Sequence, residues 1–290
     1  MPSLFDLHCD TAHELYVTAC DLYTNSLHID LERLCRYEKA VQVFAVWTPN
    51  TLAGADRFDN ACCVIDNLIK QIDRITLCRS YAEIEQAHAS GKVAALLGIE
   101  GGGAFDGKLE NINALYAKGV RLVTVTWNGP NELACGVPEE GGLTDFGRAA
   151  LTRMAQLGMI VDLSHANRQS FAEIAAVYQG PLIASHSNAF EVCDHLRNLT
   201  PDARKKLGLI GLNLYPPFVG EDILPHIEAM QDCPLALGCD FDGVDALPDG
   251  ISGVQDLPKL YERIVARWGE EFANRVFFKN AMDYMKNYLR

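Results

Sequence analysis

Short apolar runs recur along the chain with helix-like segments between them, a rhythm that reads as strand then helix, repeated. The candidate strands are Leu4 to Cys9, Val41 to Thr48, Val93 to Ile99, Arg121 to Trp127, Met159 to Ser164, Leu182 to Ser185, Leu209 to Tyr215 and Leu235 to Cys239. Several are near-continuous aliphatic runs (VAALLGI, MIVDL, LIGLNL). That suits a parallel sheet covered outside by helices and filled inside by side chains. Helices are predicted over Ala61 to Ile75, Leu109 to Lys118, Phe146 to Leu157, Ser170 to Tyr178, Ala203 to Leu207 and Leu257 to Trp268. Gly119 and Gly158 follow two of them, where a left-handed glycine closes a helix before the next strand begins. Eight such repeats predict an α/β chain folded as a (β/α)8 TIM-like barrel, with a doubly wound open sheet as the alternative that spacing alone leaves open. No linker or low-complexity tract divides residues 1–290, so one barrel domain is expected.

The placement of polar residues favours the barrel. His8 and Asp10, Glu100, His165, His186 and Asp240 each fall at the C-terminal end of a predicted strand, and in a barrel those ends converge on one face. His8 and Asp10 are two apart, so a strand points both to the same side while Cys9 points away. Glu100 closes VAALLGIE; a carboxylate after so apolar a run sits at a strand mouth or is costly to bury, and a metal partner is the economical reading. Gly101, Gly102 and Gly103 follow it, but the spacing gives neither phosphate-loop signature, and the adjacent carboxylate would repel a phosphate. His165 and His186 close two successive strands, preceded by Ser164 and Ser185. Asp240 ends LALGCD, whereas Asp242 and Gly243 form a turn signal that marks Asp242 as structural. The remaining histidines, His13, His28, His88, His195 and His226, are read as surface or capping residues.

Composition narrows the partners. Among 290 residues, 25 Lys and Arg face 38 Asp and Glu, a formal charge of −13 that repels phosphate backbones and anionic lipid, so neither nucleic acid nor a membrane is expected as partner. No run approaches the ~18 apolar residues of a spanning helix, and neither a leader nor a prenylation box is evident, which leads to the expectation of a cytoplasmic protein. The ten cysteines contain no CxxC pair and are read as reduced, with adjacent Cys62 and Cys63 as small buried hydrophobes. An acidic surface permits a homodimer without implying one. Three histidines with carboxylates suit zinc ahead of manganese or iron. A carboxylate shared by two ions ~3.5 to 4 Å apart would hold a hydroxide between them, and Glu100 is the candidate bridge. Such a site is built to hydrolyse a carbonyl derivative.

The segments DLHCD (Asp6 to Asp10), GKVAALLGIEGG (Gly91 to Gly102), LTDFGRAALTRMAQLGMIVDLSH (Leu143 to His165), IASHSNAFEVCDHLRN (Ile183 to Asn198) and LGCDFDGV (Leu237 to Val244) occur in order. Together they resemble the renal, or membrane, dipeptidase family of zinc metallopeptidases over about Phe5 to Asn280. The resemblance implies a barrel with two zinc ions: His8 and Asp10 on the first, Glu100 bridging, His165 and His186 on the second. It implies that Arg197 binds the substrate's terminal carboxylate, a task suited to its planar fork, and that Asp240 shuttles the proton. It implies hydrolysis of a dipeptide to two amino acids with tolerance for a C-terminal D-residue. Tyr215 falls where the family has a pocket-wall tyrosine. Trp127 stands where the family has a substrate-facing histidine; indole does not titrate near neutrality, and neighbouring Asn128 is then the candidate to polarise the developing oxyanion. The alternatives are hydrolysis of another amide or lactam in the same site, and a catalytically silent metal-binding barrel. The signal peptide and lipid-anchor signal of secreted members are not seen, so their membrane location is not implied.

Overall fold

Strand ladders close on themselves in the computed structural model, which describes residues 1–49, 51–71 and 75–290. The strands are β1 (Leu4–Cys9), β2 (Ala40–Trp47), β3 (Ile75–Leu77), β4 (Val93–Glu100), β5 (Val120–Thr124), β6 (Ile160–Asp162), β7 (Leu182–Ala184), β8 (Leu209–Leu212) and β9 (Leu235–Leu237). All pair in parallel, and the circuit β1-β2-β4-β5-β6-β7-β8-β9 returns to β1 through Asp6 and Leu237. The result is the expected closed eight-strand barrel ringed by helices. The predicted strands correspond to these eight; β3 lies outside the circuit, pairing with Val93 to Ala95 of β4, whose later residues pair with β5.

Period-two alternation decides which side chains fill the barrel. Phe5, Leu7, Val41, Val43, Ala94, Leu96, Leu122, Ile160, Ile183, Leu209 and Ala236 form the inner cluster, plugged at one end by Tyr284, Met285 and Leu289 near the C-terminus. The Tyr284 hydroxyl donates to the Leu182 carbonyl (3.1 Å), tying that plug to β7. The alternate residues, among them Phe44, Val46, Leu97, Val123, Val161, Ile210 and Leu237, pack outward under the helices.

Helix boundaries follow local chemistry. Gly119 and Gly158 do close Leu109–Lys118 and Asp145–Leu157, at φ of 115° and 70°. Thr144 and Asn167 accept the N–H groups of Gly147 and Ser170 to cap Asp145–Leu157 and Arg168–Val177. The helix predicted over Ala61 to Ile75 is Ala55–Lys70, its predicted residues 72–74 lying outside the described ones. The one predicted over Ala203 to Leu207 starts earlier, as Pro201–Arg204, because Thr200 caps it and Pro201 favours its first turn. Cys62 is half-buried and Cys63 exposed, contrary to the buried reading, and no disulfide joins the described cysteines. No described helix is long and apolar enough to cross a membrane.

All five strands from β5 onward end earlier than predicted because the chain leaves the ladder on reaching the rim. At β7 the departure is inward. The Ser185 carbonyl occupies space that only glycines on β8 and just after β9 leave open: a Cβ on Gly211 or Gly238 would lie 1.8 or 1.7 Å from that oxygen. The Ser187 N–H donates to the Gly211 carbonyl (2.8 Å), so His186 is carried into the barrel mouth. Gly238→Ala should therefore cost about 3 kcal/mol or more, because backbone rather than a rotatable side chain must move. Gly91→Ala, with nothing within 4 Å and only a positive φ to oppose it, should cost about 1 kcal/mol. Urea unfolding of the two variants checks the contrast.

Candidate metal centre

Six side chains from five strand ends meet in the mouth, all buried. His8 lies within β1 and Asp10 just after it; Glu100 ends β4; His165, His186 and Asp240 follow β6, β7 and β9. Glu100 is 3% exposed and stands at the centre. Its Oε1 is 3.1 Å from His165 Nε2 and 3.6 Å from both His8 Nε2 and His186 Nε2. His8 Nε2 is also 3.4 Å from Asp10 Oδ2 and 3.7 Å from Asp240 Oδ1. The rings of His8 and His186 are 3.9 Å apart at their centroids, those of His165 and His186 5.0 Å.

These atoms form three overlapping donor groups, each within 4.8 Å: His8, Asp10 and Glu100; Glu100, His165 and His186; His8, His186 and Asp240. His8 Nε2, His186 Nε2 and Asp10 Oδ1 are buried with no hydrogen-bond partner. Buried polar atoms are ordinarily satisfied, so orphans converging on one carboxylate fit a cation, and imidazole with carboxylate donors fits zinc or a similar divalent metal.

The electrostatics agree. Burial, then the neighbouring Asp10, pushes Glu100 well above the usual carboxylate range. Burial also holds His165 and His186 well below the ordinary histidine value, reinforced by Arg197 and by His8. Burial opposes charge on His8, yet Glu100, Asp10 and Asp240 outweigh it and raise that group to about 10. Asp240 is pushed up chiefly by burial, against the pull of His8.

The rim is held by strained backbone and dedicated hydrogen bonds. His165 and Asp240 sit at φ of 66° and 63°, a region costly for side chains with a Cβ. The Val137 N–H donates to the His165 carbonyl (2.9 Å), and the Asn128 side-chain oxygen meets His165 Nδ1 (2.9 Å). Asn213 donates its amide to Asp240 Oδ2 (2.9 Å), leaving Oδ1 toward His8. Asp242, structural as expected, accepts the Thr11 hydroxyl (2.6 Å) and the His28 N–H (2.7 Å), bracing the loop before β2 against the turn after β9.

Arg197 is buried beside the centre. Its guanidinium lies 5.3 Å over the Phe218 ring and forms no ion pair with any described carboxylate, and its Nε has no partner. A groove of ≈ 410 Å³ between helices Arg168–Val177 and Pro201–Arg204 reaches it and His165, whereas the cavity touching Glu100, Trp127 and Asn128 holds only ≈ 20 Å³. Trp127 meets Trp47 edge-on at 5.1 Å, and Trp47 meets His13 at 4.9 Å. Tyr215 precedes helix Pro216–Val219, its ring edge-on to Phe218 at 4.9 Å. Two residues that sequence reasoning passed over, Asp162 and Asn213, are buried next to the predicted set; MIVDL and LIGLNL contained them as polar positions inside strand ends. His226, read as a surface residue, is fully buried, accepting the Ala189 N–H and meeting the Val219 carbonyl.

Known proteins resemble this chain in sequence and in fold. The sequence model of the membrane dipeptidase family (peptidase family M19) matches residues 2–288. An uncharacterised protein from the pqqA 5′ region of Klebsiella pneumoniae is 33% identical, over 74% of this chain and 89% of that one. The crystal structure of a metallopeptidase called dipeptidase AC aligns with TM-score 0.92 at 26% identity, over 99% of both chains. A metallopeptidase from Rhodobacter sphaeroides, solved with a phosphinate mimic of the dipeptide L-Ala-D-Ala, aligns with TM-score 0.91 at 24% identity over 99% of both.

Gly243 supplies a test of the packing around the donors: a Cβ there would lie 2.1 Å from Asp10 Oδ2 and 2.5 Å from Asp240 Oδ1. Gly243→Ala should keep the fold by circular dichroism yet lower divalent-metal retention on dialysis about tenfold or more, measured by elemental analysis.

Proposed function

The chain belongs to the membrane dipeptidase family of metallopeptidases, and from that premise we propose that it is a two-zinc dipeptidase, one barrel domain over residues 1–290, that hydrolyses dipeptides and tolerates a C-terminal D-residue. His8 and Asp10 would hold one ion, His165 and His186 the other, and Glu100 both, which accounts for the orphaned atoms around it. Bound there, zinc would make a water molecule acidic enough to ionise near neutrality and would draw electrons from the scissile carbonyl.

The observation that carries the dipeptide reading is Arg197. A guanidinium that is buried next to the centre, with a carbonyl contact to His186 (3.5 Å) but no described carboxylate partner, is expensive unless a ligand brings the missing anion. The terminal carboxylate of a dipeptide does so, one peptide unit from the bond to be cut, and the fork of Arg197 fixes its orientation. Asp240, with Oδ2 anchored by Asn213, has Oδ1 to take the proton from the attacking water and return it to the leaving amine. Asn128 steadies His165, while Trp127 and Tyr215 serve as walls. The mimic bound by the Rhodobacter relative, L-Ala-D-Ala with a phosphinate, supports the tolerance for a D-residue.

Zinc-loaded protein should cleave L-Ala-D-Ala and L,L dipeptides, and chelation should abolish turnover. Folded, loaded protein that cleaves none overturns the proposal. Asp240→Asn should lower kcat by about 10² to 10⁴ while both metals stay bound. Arg197→Met should lower kcat/KM for dipeptides by about 10² to 10³, the loss expected when a buried charge pair is broken. The same variant should scarcely change the rate on C-terminal amides, which lack the carboxylate; equal losses on both would favour a general amide or lactam hydrolase.

A further inference from the structure

Asp162, the last residue of β6, is 1% exposed and belongs to neither the donor set nor the substrate contacts. Four donors converge on it. Its Oδ1 accepts the backbone N–H groups of Ser164 (2.9 Å) and Ser185 (2.8 Å), the residues just before His165 and His186. Its Oδ2 accepts the hydroxyls of Thr124 on β5 (2.6 Å) and Ser185 (2.6 Å). The Ser185 oxygen lies in turn 2.7 Å from His186 Nδ1.

Proton counting fixes the direction of this relay. A serine has one proton, and an ionised carboxylate can only accept. Ser185 therefore gives its proton to Asp162 and turns a lone pair to His186, whose Nδ1 must carry the hydrogen. The other nitrogen, Nε2, is then bare; it faces Glu100 Oε1 at 3.6 Å and has no hydrogen-bond partner. We propose that Asp162 is a positioning residue for the metal centre, acting through Ser185 to hold His186 in the tautomer that can bind a cation, while its backbone contacts lock the ends of β6 and β7 in register. The role in metal binding rests on the two-zinc reading above. The tautomer itself does not.

Asp162→Asn tests the relay with almost no change of shape. Oδ1 is kept for the two backbone donors, but an NH2 replaces Oδ2 and donates to a lone pair of Ser185, so that the serine can no longer donate to residue 162. The serine proton, no longer accepted by residue 162, turns to His186 Nδ1, its nearest remaining acceptor at 2.7 Å against 3.4 Å for the Ser164 hydroxyl, which reverses the tautomer and puts a hydrogen on Nε2. In metal-free protein with ¹⁵N-labelled histidine, the His186 signal, assigned by its loss in His186→Gln, should show the proton on Nδ1 in wild type and on Nε2 in Asp162→Asn. In competition with a chromophoric chelator, the variant should bind its second zinc about 10- to 100-fold more weakly and its first unchanged. Asp162→Asn combined with Ser185→Ala should recover part of that loss, since no hydroxyl remains to enforce the wrong tautomer. A purely structural role predicts the opposite, because a second truncation would add to the damage. Should Asp162→Asn not fold, Ser185→Ala alone should abolish the preference for Nδ1.

The proposal is overturned by wild-type His186 protonated on Nε2, by Asp162→Asn binding two zinc ions at wild-type affinity, by a double variant no better than the single one, or by Ser185→Ala retaining the Nδ1 preference. Failure of the two-zinc reading would appear separately, as a wild type that takes up no second zinc while the nitrogen spectrum still shows the Nδ1 proton; that result overturns the metal-binding role and leaves the relay standing.

Discussion

A carboxylate at the buried centre of three imidazoles is unfavourable unless positive charge is brought to it, and the mouth of this barrel is arranged around that constraint. Glu100 is driven toward its neutral form, and His165 and His186 are driven toward theirs. Only His8, faced by three carboxylates, is driven to hold a proton. Left to itself, the protein would resolve the conflict by neutralising most of the groups it has gathered. A divalent cation resolves it the other way. With one bound, the carboxylates would ionise, the imidazoles would offer lone pairs, and the cost of burial would become affinity. The family's metal dependence thus has a physical cause visible in the side chains alone.

Keeping those groups in place is the work of residues that do no chemistry. Gly211 and Gly238 make room for the inward bend of β7, Gly243 lets Asp10 and Asp240 approach, and the loop before helix Asp145–Leu157 clamps His165 through Val137 and Asn128. Asn213 satisfies the outward-facing oxygen of Asp240, and Ser185, itself held by Asp162, meets the outward-facing nitrogen of His186. Such supports matter because a donor atom displaced by an ångström is lost to a metal that demands close, directed contacts.

The barrel was legible because each circuit strand is an apolar run whose alternate residues fill one of two cores, and the donor set because its members break those runs at their C-terminal ends. What escaped notice lacked such contrast. The run ITL is too short to announce β3, and Tyr81–Ala89 has a weak apolar stripe although Ser80 caps it. Asp162 and Asn213 are polar residues within strand ends, and only the closing of the barrel shows that each points at a neighbour's functional group. His226 read as surface because nothing in LPHIEA reveals that Ala189 and Val219, both distant in sequence, supply its partners.

Trp127 belongs to an aromatic wall beside the centre. Its ring is fixed edge-on against Trp47, which is fixed against His13, making a wall that runs from the helix after β1 across β2 to the loop after β5. Indole offers one hydrogen-bond donor and no proton exchange near neutrality. Asn128, the expected substitute, has its side-chain oxygen committed to His165 Nδ1, so its first duty is to orient a donor of the centre. In the proposed reaction the burden of stabilising charge would therefore fall on the centre itself, with the aromatic wall shaping the space beside it. The cavity at that wall, ≈ 20 Å³, has room for about one water molecule. In so confined a space electrostatic interactions would be stronger than in solvent, which is how the proposed site could do its chemistry with no titrating side chain at that wall.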